Sequence, residues 1–98
     1  MHTNDTEFEW DGRKDLINQE KHGYSFEVAK EVFLDPNRFT TRDHKHSSAE
    51  ERFFCYGKVR GEILTVRFTF RGERVRIIGA GKWAIGEQTY EEKNQCRV

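Results

Sequence analysis

Between Asp43 and Cys55 the chain reads DHKHSSAEERFFC, which sets two histidines, two adjacent glutamates and an arginine just ahead of an aromatic run. Three uses compete for such groups. A metal centre needs converging imidazoles and carboxylates, but His44 and His46 stand two apart in a polar stretch and no matching motif fixes a third ligand, so no metal is expected. A solvated loop feeding a strand is the plain alternative. The third use is an acid–base constellation for catalysis. Histidine titrates in the range that lets His46 be base or acid, while Glu51 serves as a base or orients an arginine, and Arg52 opens the aromatic run beside them.

These groups need elements to carry them. The start, TEFEWD, alternates as a short strand with Phe8 and Trp10 on one side. Asp11 then caps a first helix from Gly12 to His22, and Gly23 suits its left-handed C-terminal position. That helix is polar, with Leu16 and Ile17 as its main apolar residues. Ser25 caps a second helix, in which Phe26, Ala29, Val32 and Phe33 recur at helical spacing until Pro36 stops it after Asp35. Two short helices joined by His22-Gly23-Tyr24 make an αα-hairpin. A histidine at such a helix end is first read as structural. Lys14 and Asn18 are read as fixing the hairpin, and Trp10 and Trp83 as core or rim anchors.

After Pro36 the period changes from 3.6 to 2. RFTTRD reads as an edge strand, and RFFCYGKVR, ILTVRFTF and RVRIIGA as stronger strands joined by tight turns, hence an antiparallel meander of three or four strands. The segment from Trp83 to Lys93 suits one more short helix. The fold expected is α+β: a short N-terminal strand and an αα-hairpin packed on one face of the meander, with a short C-terminal helix, all as one domain spanning residues 1–98. Alternation puts Phe53, Cys55, Val59, Leu64, Val66, Phe68, Phe70, Val75 and Ile77 on the face beneath the helices. The opposite face then carries Arg52, Phe54, Tyr56, Lys58, Arg60, Thr65, Arg67, Thr69, Arg71, Arg74, Arg76 and Lys82. Like charges across strands repel, so a face this cationic calls for an offset, which a bound polyanion or an acidic partner supplies.

Charge along the chain points the same way. Residues 1–35 hold nine acids and four bases, whereas the rest hold thirteen bases and eight acids, so a net of −5 faces a net of +5. The neutral total argues against a protein that coats nucleic acid without specificity. With 35% hydrophobic and 35% charged residues the chain reads as a soluble protein. Its short apolar runs fit neither a membrane span nor a secretory leader, so a cytoplasmic location is the default expectation. Cys55 and Cys96 have no paired spacing and read as two free thiols.

The chain resembles the BrnT family, the toxin half of a bacterial type II toxin–antitoxin pair. The resemblance rests on FEWD at Phe8–Asp11, Lys14 and Asn18, KHG at Lys21–Gly23 followed by Ser25-Phe26, VFLDP at Val32–Pro36, HSSAEERF at His46–Phe53, and RGE…RIIGA from Arg71 to Ala80. It implies a small ribonuclease with a RelE-like fold that holds RNA across its sheet and needs no metal or organic cofactor. In such an enzyme a base takes the proton of a ribose 2′-OH, cations hold the phosphate and its developing charge, and an acid protonates the departing 5′-oxygen. On that reading His46, Glu51, Arg52, Arg76 and Lys82 are the catalytic candidates, Arg52 as first choice for a phosphate clamp, and Tyr56, Lys58, Arg67 and Arg74 the RNA-binding ones, Tyr56 through stacking on a base. The partner it implies is a BrnA-type antitoxin with a ribbon-helix-helix domain, through which alone DNA is reached. The chain departs from the family pattern after the last strand. Members read ISAR there, while this chain reads Ile78-Gly79-Ala80-Gly81. Lys82 restores a charge but not the two-pronged fork of a guanidinium. An arginine restored at position 81 is therefore expected to raise activity. A catalytically weakened relative, acting as an RNA- or antitoxin-binding module in a repressor complex, is the alternative reading.

Overall fold

Pro36 is where the architecture changes hands. Before it stand one short strand and the helical hairpin, and after it the chain builds the rest of the sheet and one last helix. The computed structural model describes residues 6–95, so Cys96 lies outside the described residues. Strand β1 (Phe8–Trp10) leads into α1 (Gly12–His22), whose N-terminal amides at Arg13 and Lys14 donate to the Asp11 carboxylate at 2.8 and 3.1 Å. Gly23 ends the helix at φ 79°, a left-handed conformation that costs glycine little. Ser25 caps α2 (Phe26–Ala29) as its spacing requires. The second helix does not stay α-helical to Asp35, however. It tightens into a 3₁₀ segment, Lys30–Leu34, beneath which Gly57 approaches so closely that a β-carbon there would stand 2.8 Å from the Val32 carbonyl oxygen.

The sheet has five strands in the order β1-β5-β4-β3-β2, with β2 at Phe39–Arg42, β3 at Phe53–Val59, β4 at Glu62–Arg71 and β5 at Arg74–Gly81. Strands β2 to β5 form the antiparallel meander. The two residues joining β3 to β4, Arg60 and Gly61, both have positive φ, as a type I′ hairpin turn demands. Strand β1 adds parallel to β5, pairing Glu9 with Arg76 and Trp10 with Ile77. Pairing between β4 and β5 slips by one residue, since Phe68 opposes Ile77 while Arg67 opposes Gly79. Ile78 is the extra residue of this bulge, and beyond it Ala80 turns into the core.

The inner face packs as alternation requires. Phe26, Ala29, Val32 and Phe33 meet Cys55, Val59, Leu64, Val66, Phe68, Val75 and Ile77 in one buried cluster, with Arg67 and Arg76 on the other side of the sheet. Phe70 is the exception. It continues the inner row but lies beyond the helices, 54% exposed, touching only the edges of Phe53 and Phe68 among aromatic rings. The opposite face is less open than alternation alone suggests. Helix α3 (Ala84–Gln95) packs across β3 and β4 there, and Thr65 and Thr69 on that face are buried. The helix is fastened by Tyr90, whose hydroxyl donates to Asp35, a buried carboxylate that also accepts from the amides of Asn37 and Lys58. No helix among the described residues is long and apolar enough to cross a membrane.

Candidate functional site

Helix α1 and helix α3 stand on either side of a cleft of about 630 Å³ whose floor is the outer face of β3, β4 and β5. Two local features set its width. Strand β1 pairs with β5 only as far as Ile77, which leaves the edge of β5 unpaired from there on. Asn18 fills that edge from α1: its Oδ1 accepts from the Ala80 amide at 3.1 Å, and its Nδ2 donates to the Ala80 and Tyr24 carbonyls at 2.9 and 2.8 Å. Asp15 ties the same helix to α2 by accepting from the Phe26 amide at 2.8 Å. On the other side α3 can lie close because residue 86 is glycine, where a β-carbon would collide with the Thr65 hydroxyl. That hydroxyl is buried and has no hydrogen-bond partner among the described residues.

On the floor, Arg67 stands between Phe54 on β3 and Gly79 on β5, and in the next row Thr65 stands between Tyr56 and Gly81. Tyr56 is held by stacking on Phe39 (5.0 Å between centroids, 29°) and by a 3.3 Å bond between its hydroxyl and Thr41. Lys14, Ile17, Lys21 and His22 of α1 make one wall, and Trp83, Ile85 and Gly86 the other. Lysines at i and i+7 around Ile17 lie on one helix face, so the signal for this wall is present in α1, although Lys14 alone reads as fixing the hairpin.

Electrostatics separate the cleft from its surroundings. Arg76 pairs with Glu9 at 2.8 Å, Arg74 with Glu7 at 3.0 Å, Arg60 with Glu31 at 2.8 Å, and Lys82 with Glu62 at 3.6 Å. Arg52 and Arg71 share Glu50, and Arg42 pairs with Glu51. The hydrogen bond from Arg76 holds the Glu9 carboxyl below its ordinary range, and the Glu7 contact raises Arg74 further. Much of the offset that the cationic face called for is thus internal, supplied by the acidic first third of the chain and by Glu50, Glu51 and Glu62. The cleft is different. Lys14, Lys21 and Arg67 form no ion pair among the described residues, and no carboxylate lines the cleft.

The candidate residues divide accordingly. Tyr56 and Arg67 line the cleft. Arg76 stands on the same face one row further, opposite Thr69, and Arg52 precedes β3 at that end of the sheet. Lys58 is exposed beyond Tyr56, and Arg74 is exposed at the far end of β5. Lys82 flanks the cleft but is drawn to Glu62, which also accepts from the Tyr24 hydroxyl at 2.8 Å. His46 and Glu51 lie outside the cleft lining, the first with its Nδ1 3.0 Å from Asp43 and the second on Arg42. Among the described residues no group of three or more histidines, cysteines and carboxylates comes together as metal ligands.

Gly81 explains why the cleft can be aromatic at this end. A β-carbon there would stand 2.6 Å from the Trp83 indole, whereas one at Gly79 would meet nothing nearer than Asn18 Oδ1 at 4.0 Å. The expected gain from an arginine at position 81 therefore carries a condition, because the indole must first move.

A cleft of unpaired cations and aromatic rings, walled off from carboxylates, suits a chain of phosphates with exposed bases. No curated protein matches the sequence. The family model for the ribonuclease toxin BrnT of type II toxin–antitoxin systems matches residues 10–87, a span that takes in both walls and the floor of the cleft, and the chain belongs to that family.

Proposed function

We propose that this BrnT-family toxin is a metal-independent endoribonuclease that takes single-stranded RNA into the cleft between α1 and α3. One observation carries the reading: no lysine or arginine that lines the cleft is ion-paired among the described residues, while Arg52, Arg74, Arg76 and Lys82 around it are held by the chain's own carboxylates. In a partly apolar cleft such charges act through less screening water and select a polyanion. Arg67 on the floor clamps a phosphate, Lys14 and Lys21 draw the backbone along the wall, and Tyr56 offers its ring to a base. Arg52 and Arg76 extend the track beyond the cleft, each exchanging a glutamate for a phosphate when RNA is bound. The neutralising partner in this reading is a BrnA-type antitoxin, whose ribbon-helix-helix domain makes the DNA contacts.

A second reading has its own support. Ile17, Trp83 and Ile85 are 45, 42 and 76% exposed around the cleft, which is apolar surface that a protein segment covers better than a phosphodiester does. It makes the chain a binding module that docks its antitoxin and cuts poorly.

One assay separates them. End-labelled single-stranded RNA is incubated with the purified toxin in excess EDTA, with binding of an uncleavable 2′-deoxy oligonucleotide measured alongside. Cleavage that survives EDTA supports the first reading. A protein that neither cuts nor binds at low salt, yet pairs tightly with its antitoxin, leaves the second.

A further inference from the structure

We infer that His22 is the proton-transfer group of the cleft, the base that activates the ribose 2′-hydroxyl. The inference rests on the ribonuclease reading above and names the residue that reading lacks.

Among the described residues the titratable side chains lining the cleft are Lys14, Lys21 and His22 from α1, Tyr56 from β3 and Arg67 from β4; α3 contributes Ile85 and Gly86, and the turn before it Trp83. No carboxylate is among them. Lysine, arginine and tyrosine are ordinarily protonated at neutral pH, so none is a ready acceptor there, whereas imidazole is. Among the described residues His22 is thus the one imidazole that lines the cleft. Its environment fits that task. The ring is exposed, and neither nitrogen has a hydrogen-bond partner among the described residues. Packing fixes the ring instead, edge-on against Trp83 at 5.1 Å and 67°. His46 contrasts on this point, because its Nδ1 is occupied by the Asp43 carboxylate.

The step balances without a metal. Neutral His22 accepts the 2′-hydroxyl proton as the 2′-oxygen bonds to phosphorus, with Arg67 and the lysines holding the phosphoryl oxygens. The bond from phosphorus to the 5′-oxygen breaks, and that oxygen takes a proton from water. The imidazolium then returns its proton to the hydroxide left behind. The products are a 2′,3′-cyclic phosphate and a free 5′-hydroxyl.

The experiment uses the full chain and a labelled single-stranded RNA oligomer, with the all-2′-deoxy oligomer as the binding probe. His22→Ala is expected to lower the single-turnover cleavage rate by about 100- to 10,000-fold, the usual contribution of a general base. Affinity for the deoxy oligomer should change little, and added imidazole should restore part of the rate. The wild-type pH–rate profile should carry a limb on the acid side that the residual rate of the variant lacks. His22→Asn serves as a second variant, checked for folding by circular dichroism, should the alanine variant not fold. A folded variant that cuts at the wild-type rate with the same pH profile overturns the assignment while leaving the ribonuclease reading intact. A wild type that cuts no RNA at any pH removes both.

Discussion

Trp83 folds back over Gly81, so that a β-carbon on the glycine would stand 2.6 Å from the far corner of the indole. The same indole braces His22 across the cleft mouth. Any side chain at position 81 must therefore displace a ring that also orients the wall. Gly81→Arg is expected to cost about 1–2 kcal/mol, at the lower end for overpacking because the indole is partly exposed and can swing outward. Thermal melting and a red shift of tryptophan emission check this, and the cost should shrink in the double variant with Trp83→Ala. Gly79→Ser has room and should leave stability nearly unchanged.

Arg67 and Arg74 share a face but not a fate, since only the second is ion-paired. Arg67→Ala should weaken single-stranded RNA binding about tenfold or more, as loss of a charge-assisted hydrogen bond implies. It should also flatten the dependence of log affinity on log salt by about 0.7, one phosphate contact on a single strand. Arg74→Ala should do neither. Titrations at several salt concentrations decide, and equal effects from the two variants would remove the special role of the cleft.

Asp35 links stability to acid. Burial pushes its carboxyl up, but hydrogen bonds from Tyr90 and from the Lys58 and Asn37 amides outweigh it, and the folded value lies below the ordinary one. A depressed carboxylate stabilises the fold fully above its unfolded pKa of about 3.9 and loses that contribution as pH falls through the lower folded value. Tyr90→Phe should cost about 1.5–3 kcal/mol at neutral pH, the range for a bond to a charged group, and less at pH 3 or below. Urea melts at the two pH values measure it. An equal loss at both would show that the carboxylate is not the partner that matters.

Cys55 is fully buried, and burial pushes its thiol up to about 11. Thiolate, the reactive form, is scarce at neutral pH. In a Cys96→Ser background the folded protein should resist thiol reagents at pH 7 and react promptly in denaturant. Rapid labelling of the native state would contradict the packing described for β3.

Much of this was readable in the residues themselves. Asp11, Ser25, Gly23 and Pro36 bracket the helices where their chemistry says they must, and alternation along β3 and β4 separates Val66 from Arg67 correctly. What alternation cannot register is a residue that breaks phase. Ile78 does so, and past it Ala80 faces the core where strict alternation from Ile77 would place Gly79. Nor does a local pattern announce which distant strand supplies counterions. The charge contrast between the chain's two parts read as a demand for an external polyanion, yet Glu7 and Glu9 meet part of it from within. The cleft stayed hidden for a related reason. Its α1 wall is one face of a polar helix, and its roof depends on Gly86, a residue that lowers helix propensity while permitting close approach.

The parallel pairing of β1 with β5 joins positions 67 apart, as in Glu9 with Arg76. Every other strand pairing in the sheet links chain neighbours through the meander. Closing so long a loop is slow relative to zipping local hairpins, so the first strand is expected to dock after the rest of the sheet has formed. During synthesis it must wait until β5 has left the ribosome. In that interval Arg74 and Arg76 lack Glu7 and Glu9, and the nascent protein carries a more cationic surface than the finished one. The acidic leading strand acts as a late seal, and a chain trimmed of residues 1–9 should bind anions more broadly than the whole.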